Sequence, residues 1–483
     1  MVKNNVLRGK NLRRMISLAL VVFILMSATA CGSTAKSNSE VNSAGDNSLS
    51  ISVVSKDMYL DTAVKLFQEQ YPDTIIEVVE YTSDPIPSSE GKNLMRVGNK
   101  PEDVEKYVNA MNTQLMSGKG PDIMLLSPLP YENYIDKNIL ANLSEMMQAD
   151  QSFDIDKYYT NILDAMKYNG SLYGMPLSVN LNLLAADKAL LDKYNIEIED
   201  DKWNWDDFEK TAANIIESSS KDGVQGMYAL SGLDGSMLIS SLVSANFNKF
   251  ADKSKKIASF DSIEFIDLLN MAKSMIDKNY IDTDTSQGKV ADLATRGNTV
   301  FSAASIRAYF DLMLAKQTYS DGFEFLKYPG EGTDLAFTSN ALYGINNKSS
   351  NKNIAWAFLK FLTSEEMMSQ ATLVGLPVNK GASETAAQNA VEISKKVGGS
   401  SNSGNGKMKL NINGQAINLS KPITEDDVKI IQDILRSANK YTNVDQQALA
   451  IVQEESRAFL EGQKTAEDTA KSIQDRVNTY IYE

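Results

Sequence analysis

The sequence contains no histidine, a single cysteine (Cys31) and only 11 prolines in 483 residues. Without histidine the chain lacks the commonest general base and the commonest metal ligand, so serine–histidine and cysteine–histidine nucleophile pairs and imidazole zinc sites are excluded. One cysteine excludes an intrachain disulfide and any multi-cysteine cluster. Basic side chains are also in deficit, 48 against 62 acidic, giving a formal charge of −14. Such a chain is poorly suited to nucleic acid, whose phosphates demand a basic face. What remains is an ordinary globular composition, 43% apolar and 23% charged, long enough for two or three domain-sized units.

The charge is unevenly spread. Lys3, Arg8, Lys10, Arg13 and Arg14 fall in the first thirty residues, which hold no acid, leaving 43 basic against 62 acidic side chains and a charge of −19 for the rest. After Arg14 comes the apolar run Met15–Met26, then Ser27-Ala-Thr-Ala-Cys31-Gly. A basic start, a short apolar stretch and small residues before a cut point make a secretory signal over 1–30. The run is shorter than the ~20 residues of a spanning helix. Cys31 stands where a bacterial lipobox resembles this segment, and there it would receive diacylglycerol and palmitate as a membrane anchor. Residues 31–48 are small and polar, rich in Ser and Asn, and read as a flexible tether.

The rest alternates strand and helix signals. Leu49–Val54 and Thr74–Tyr81 have strand alternation, and Leu60, Val64 and Phe67 recur between them at helical spacing before Tyr71-Pro72. Strand–helix–strand opens a parallel α/β sheet. Helices are expected over 104–116, from Trp203-Asn-Trp205 through Ile215, over 265–276 and over 354–362, where Ala355, Phe358, Leu359 and Leu362 share one face. Thr363-Ser-Glu-Glu366 and Thr465-x-x-Asp468 read as helix starts; behind the second, Ala466, Ala470, Ile473, Val477 and Tyr480 form a stripe. Val397–Lys407 is of low complexity and expected to be a mobile loop; Lys409–Leu419 reads as a hairpin around Asn413-Gly414.

No phosphate-binding glycine motif occurs. Asp282-Thr-Asp-Thr-Ser-Gln-Gly288 has oxygens at positions one, three and five of a calcium loop. Gln287 at position six and Leu293 at twelve break the template, so a solvated loop is the better reading. No metal and no cofactor are expected.

Several short motifs, in order over about three hundred residues, resemble the family 1 extracellular solute-binding proteins of ABC importers, which include maltose-binding protein. They are Phe67-Gln-Glu-Gln-Tyr-Pro72, Ser117-Gly-Lys-Gly-Pro-Asp122, Leu140-Ala-Asn-Leu143, Asn169-Gly-Ser-Leu-Tyr-Gly-Met-Pro176, Ala186-Asp-Lys188 and Trp205-Asp-Asp-Phe208. Asn340-Ala-Leu-Tyr-Gly-Ile345, Asn351–Leu362 and Gly375-Leu-Pro-Val378 follow. The resemblance implies a two-lobed periplasmic-binding-protein-like α/β fold (type II), with mixed sheets flanked by helices and a hinge between the lobes. Crossovers are expected near Pro176–Asn180, Gly297–Phe301 and Asn340–Tyr343. The lobes would then be 49–178 with 299–340, and 179–298 with 341–483 carrying a helical extension.

The implied function is an extracellular receptor, monomeric, lipid-anchored to the outer face of a Gram-positive-type cell membrane. It would bind a small hydrophilic solute, a sugar or oligosaccharide first, and deliver it to ABC importer permease subunits. By position, Lys56, Asp57, Tyr59, Ser127, Tyr131, Asn180, Arg307, Tyr309 and Asn340 are the expected ligand contacts. Polar side chains suit hydroxyl-rich ligands and the tyrosines suit stacking. Relatives often carry Gly-Pro-Trp where this chain has Ser305-Ile306-Arg307; Arg307 there can clamp a carboxylate or phosphate, stack, or merely be solvated. Trp205 and Trp356 are assigned to packing, and Trp203 is left open. Two other readings stand beside transport: a receptor feeding a sensor, and an extracellular glycan-acting enzyme using paired carboxylates.

Overall fold

The computed structural model describes residues 48–82, 99–252, 257–286, 297–319, 322–330, 332–370, 372–398, 408–412, 415–419 and 421–482. The expected secretory signal, Cys31, the expected tether up to residue 47, the low-complexity residues 399–407 and Asn413-Gly414 lie outside them, while Ser48 at the tether's expected end already belongs to the first strand.

The first lobe is built on β1 (Ser48–Val53), β2 (Ile75–Glu80), β3 (Ile123–Leu125) and β4 (Met175–Pro176). Between β1 and β2 runs a helix over Met58–Gln70. Asp57 caps it, accepting the Leu60 N–H at 2.7 Å, and its buried Leu60, Ala63 and Phe67 turn one stripe to the sheet. Pro101 opens the helix Pro101–Met116, where a missing N–H costs nothing. Tyr107 on that helix donates to the carbonyls of Ser52 and Leu125, fastening it across β1 and β3.

The chain then passes through Leu177 into the second lobe: β5 (Ser178–Asp187), β6 (Tyr228–Ser231), the short antiparallel pair β7 (Ala251–Asp252) and β8 (Ile257–Ala258), β9 (Ile281–Asp282), β10 (Thr299–Ile306), β11 (Phe323–Leu326) and β12 (Ala336–Thr338). The long β5 is the spine of this lobe. It is antiparallel to β10, with Phe301 opposite Ala186 and Ile306 opposite Leu181, and also receives β11 and β12. Its two faces feed two cores, Leu181 and Leu183 in one, Leu184 and Ala186 in the other. The second core holds Phe208, Phe301 and Trp203, with Trp203 edge-on to both phenylalanines at 5.8 and 5.4 Å and the two phenylalanines tilted at 6.0 Å. Trp203 is therefore a packing residue, while Trp205 packs edge-on against Phe208 at 5.4 Å and also lines the cavity described below.

After β12 the chain returns through Ser339–Ala341 to β13 (Leu342–Ile345), which inserts between β3 and β4 in the first sheet. The helix Lys352–Leu362 packs its expected stripe there, with Phe358 meeting Phe67 edge-on at 5.0 Å. Next come β14 (Leu376–Pro377), the helix Lys380–Gly398 and the hairpin of β15 (Met408–Ile412) and β16 (Gln415–Leu419), with Ile412 opposite Gln415. Thr424 and Asp427 form a capping box at the start of the helix Glu425–Ser437. The chain then crosses once more: β17 (Lys440–Tyr441) pairs with β12, and the helices Gln446–Leu460 and Ala466–Tyr482 cover the second lobe. Sheet order is β2-β1-β3-β13-β4 in one lobe and β17-β12-β5-β10-β6-β9 in the other, with β11 and β14 also on β5.

Two expectations fail here. Residues 299–340 belong to the second lobe rather than the first, because β10 is held between β5 and β6 with no crossing at Gly297–Phe301. Conversely β13 and the helix Lys352–Leu362 belong to the first lobe, so 341–483 is not one block. The third crossing lies at Ala438–Asn439, where Asn161 of the first lobe donates to the carbonyls of Leu435 and Ala438. The physical reason is that β6, β9 and β10 run parallel as neighbours of one sheet, and such successive crossovers stay within their sheet. A smaller correction concerns Thr363-Ser-Glu-Glu366: the cap is Ser364, which accepts the Met367 N–H, while Thr363 closes the preceding helix.

The junction between lobes is closely knit. Ser339 Oγ donates to the Ser178 carbonyl at 2.8 Å, and Ser178 Oγ donates to the Val374 carbonyl at 2.6 Å. Beside them Gly375 has φ +108°, and a Cβ there would lie 2.2 Å from Ser178 Oγ. Only glycine fits both the backbone and the space.

Candidate functional site

Strand direction brings a set of loops to the edges of the two sheets that face the junction. In the first lobe β1 and β3 run parallel, so their C-terminal ends carry Lys56–Asp57 and Ser127. The antiparallel β13 begins at the same edge, directly after Asn340. Ser127 Oγ accepts the Leu342 N–H at 3.1 Å, joining two of these loops. In the second lobe β6, β10 and β12 run the same way, and their ends carry Gly232–Leu233, Arg307–Ala308 and Ser339–Asn340. Sheet edges of this kind are where α/β folds place ligands.

A cavity of about 590 Å³ opens on the second lobe. The ends of β6 and β10 form its floor, Ser240, Ser241 and Ser244 of the helix Gly235–Ala245 one wall, and Ala315 and Thr318 of the helix Asp311–Thr318 another, with Tyr319 just after that helix. Below the floor is a ladder of hydroxyls. Tyr319 donates to Ser302 Oγ at 2.6 Å, Ser302 and Ser231 share a hydrogen bond of 3.1 Å, and Thr299 lies 3.4 Å from Ser231. Burial raises the Tyr319 phenol well above its ordinary range, so the hydroxyl stays protonated as a fixed donor. Trp205 and Tyr328 add aromatic surface.

A second cavity, about 340 Å³, adjoins the first and is lined from both lobes. Tyr131, Met166 and Tyr168 come from the first lobe; Asn246, Phe247 and Lys249 come from the second. The two cavities share Ser244, Ala245, Lys440, Thr442 and Val444, so they form one groove along the start of the third crossing. The Tyr131 hydroxyl shares a hydrogen bond with Tyr441, and burial raises both phenols.

The nine expected contacts divide into three groups. Arg307 lines the first cavity and Tyr131 the second. Lys56, Asp57, Ser127, Asn180 and Asn340 line neither of these cavities, although all stand at junction-facing sheet ends. Lys56 is paired with Asp61 at 2.8 Å. Asp57 is exposed and engaged as the cap of its helix, accepting the Leu60 N–H at 2.7 Å. Asn340 is exposed, whereas Asn180 is buried in β5 opposite Thr338. Tyr59 and Tyr309, finally, are core residues, each only 2% exposed. Their hydroxyls are taken by the Leu362 carbonyl and by Ser383 Oγ, which leaves neither ring a face for a ligand. Sequence reasoning missed the serines of the helix Gly235–Ala245 and the segment Lys440–Val444. The Ser240, Ser241, Ser244 spacing was a readable signal; the second was not, since only the tertiary crossing brings it to the groove.

Among the described residues no group of three or more acidic or cysteine side chains is placed to hold a metal ion. No described helix is long and apolar enough to cross a membrane.

A family model for bacterial extracellular solute-binding proteins matches residues 90–395. The chain belongs to this family. Solved structures of similar fold include the sugar-binding protein MalE of Xanthomonas citri, at TM-score 0.56 and 14% identity over 90% of this chain and 97% of that one. A family 1 extracellular solute-binding protein of Alicyclobacillus acidocaldarius matches at TM-score 0.54 and 14% identity, over 90% and 98%. Listeria monocytogenes Lmo0181, solved with cycloalternan, matches at 0.51 and 18%, over 90% and 99%. At such identities the likeness establishes the two-lobed α/β fold. Family membership makes the chain an extracellular solute-binding protein.

Proposed function

We propose that this solute-binding protein takes up a carbohydrate in the groove between its lobes and hands it to the permease of an ABC importer, without chemical turnover. The observation that carries the reading is the groove, lined from both lobes, where neutral hydroxyls and amides are set among apolar and aromatic side chains. Hydroxyl side chains both donate and accept, as sugar hydroxyls do, and aromatic faces match pyranose rings. The combined space is in the range of small-molecule sites, about 300–1,000 Å³. Lys56, Asp57, Ser127 and Asn340 stand on the facing edge and meet the solute when the lobes close, in a two-state equilibrium that the ligand biases.

The receptor acts as a monomer held at the outer face of the membrane by a diacylglycerol-modified Cys31. The basic, apolar and small-residue segments ahead of that cysteine support this reading.

Detergent-solubilised full-length protein should gain thermal stability with a subset of mono- and oligosaccharides, by the linkage of binding to unfolding. Small-angle scattering should show it compact in the same samples. A panel that produces neither response removes the carbohydrate reading. Turnover of a sugar would replace it with an enzyme. For the anchor, Cys31→Ala should move the protein from the membrane fraction to the medium; unchanged membrane retention would refute it.

A further inference from the structure

The charge of the groove differs from that of the chain. Overall, acidic side chains outnumber basic ones 62 to 48. Along the two cavities the balance reverses among the described residues: Arg307, Lys440, Lys167 and Lys249 are cations, against the acids Asp311 and Glu132. Lys440 and Lys167 are matched by Asp334 and Asp164. The guanidinium of Arg307 and the ammonium of Lys249 make no hydrogen bond or ion pair among the described residues. The Asp311 carboxylate feels the Arg307 charge but makes no side-chain hydrogen bond or ion pair with it. Asp311 Oδ2 accepts the backbone N–H groups of Arg307 and Ala308 at 2.7 and 2.9 Å, which fixes the turn that presents the arginine at the end of β10.

Resting on the receptor reading above, we infer that the solute is an acidic carbohydrate whose anionic group is received by Arg307. A guanidinium offers paired N–H donors that match a carboxylate or phosphate, and such charge-assisted bonds are stronger than neutral ones. Nothing of this kind is needed for a neutral sugar, whose hydroxyls are met by the serines already present. A carboxylated sugar and a phosphorylated sugar share the recognising chemistry, and the test separates them.

Binding is measured by calorimetry on the detergent-solubilised full-length protein with three probes: a galacturonate trimer, a neutral galactose trimer and glucose 6-phosphate. The expected result is tighter binding of the galacturonate trimer than of the neutral trimer by at least about tenfold, weakening as salt rises. Arg307→Gln should erase that preference while leaving the melting temperature unchanged, and Arg307→Lys should restore part of it. Preference for glucose 6-phosphate, again abolished by Arg307→Gln, supports the anionic solute and assigns its charge to phosphate. Equal or tighter binding of the neutral trimer, or a preference that survives Arg307→Gln, overturns the inference while the receptor stands. Failure of all three probes to bind or to compact the protein overturns the inference and counts against the carbohydrate reading as well.

Discussion

The Tyr309 hydroxyl and Ser383 Oγ lie 2.7 Å apart in the core, and Tyr159 approaches the same serine at 3.3 Å. Tyr309 follows β10 of the second lobe, Tyr159 stands in the first, and Ser383 belongs to the helix Lys380–Gly398 between them. One fully buried hydroxyl therefore ties three segments across the junction. Ser383→Ala strands both phenols and should cost about 1–3 kcal/mol, the price of leaving buried donors unmet. Tyr309→Phe should cost less and leave solute affinity unchanged. Chemical denaturation and calorimetry read the two quantities separately; a changed affinity would return Tyr309 to the binding surface.

Gly375 offers a test of the junction itself. Alanine there must place its Cβ 2.2 Å from Ser178 Oγ and 2.5 Å from Ser178 Cβ, on a backbone at φ +108°. Gly375→Ala should lower stability by at least about 2 kcal/mol, from strain and overlap together. Gly223→Ala is the control: φ is +75° but its Cβ meets open space, so only the conformational cost of about 1 kcal/mol applies.

Asp150 accepts hydrogen bonds from Lys360 Nζ at 2.7 Å and Trp356 Nε1 at 2.9 Å, holding the helix Lys352–Leu362 to the first lobe. Lys360 foremost, with Ser152 and Trp356, keeps its carboxyl well below the ordinary range. A depressed pKa contributes stability above the unfolded value, near ~4, which is lost as pH falls toward the folded value. Asp150→Asn should cost about 1 kcal/mol at neutral pH, discounted for partial exposure. The gap from wild type should narrow below about pH 4. Urea melts at pH 7 and pH 3 decide it, and a constant gap contradicts the ion-pair account.

Lys327 is a buried cation, 6% exposed at its side chain, bonded to the Asp201 carboxylate and the Gly332 carbonyl. Breaking a buried pair costs about 3–5 kcal/mol where the remaining charge is stranded. Asp201 is 68% exposed, however, and water hydrates it once the lysine is gone. Lys327→Met, which keeps the aliphatic stem, should therefore cost only about 1–2 kcal/mol by thermal denaturation.

Local structure was legible because its causes are local. The alternation in Leu49–Val54 and the Asn-Gly between two strand-like runs are written in neighbouring residues, and β1, β15 and β16 lie there. The same holds for the stripe Ala466, Ala470, Ile473 and Val477, all buried, although the far end turns on Ile481 more than on Tyr480. Thr424-x-x-Asp427 carried the same helix-start signature as Thr465-x-x-Asp468, and a helix follows both. Sheet membership was not legible: β10 and β13 have similar buried patterns, and only pairing partners far along the chain separate them. The site suffered likewise. A tyrosine near a strand end reads the same whether its ring meets solvent or, like Tyr59 and Tyr309, fills the core.

The third crossing has a consequence for how the molecule is made. β12 waits for β17, about a hundred residues later, and the second core is closed only by the helices that end at Tyr482. The first sheet waits too, since β13 enters between β3 and β4 after the whole of β5–β12. A chain synthesised from its amino terminus therefore completes its first sheet only at Ile345 and its second only at Tyr441. Both lobes fold late, through long-range closures that are slow to find.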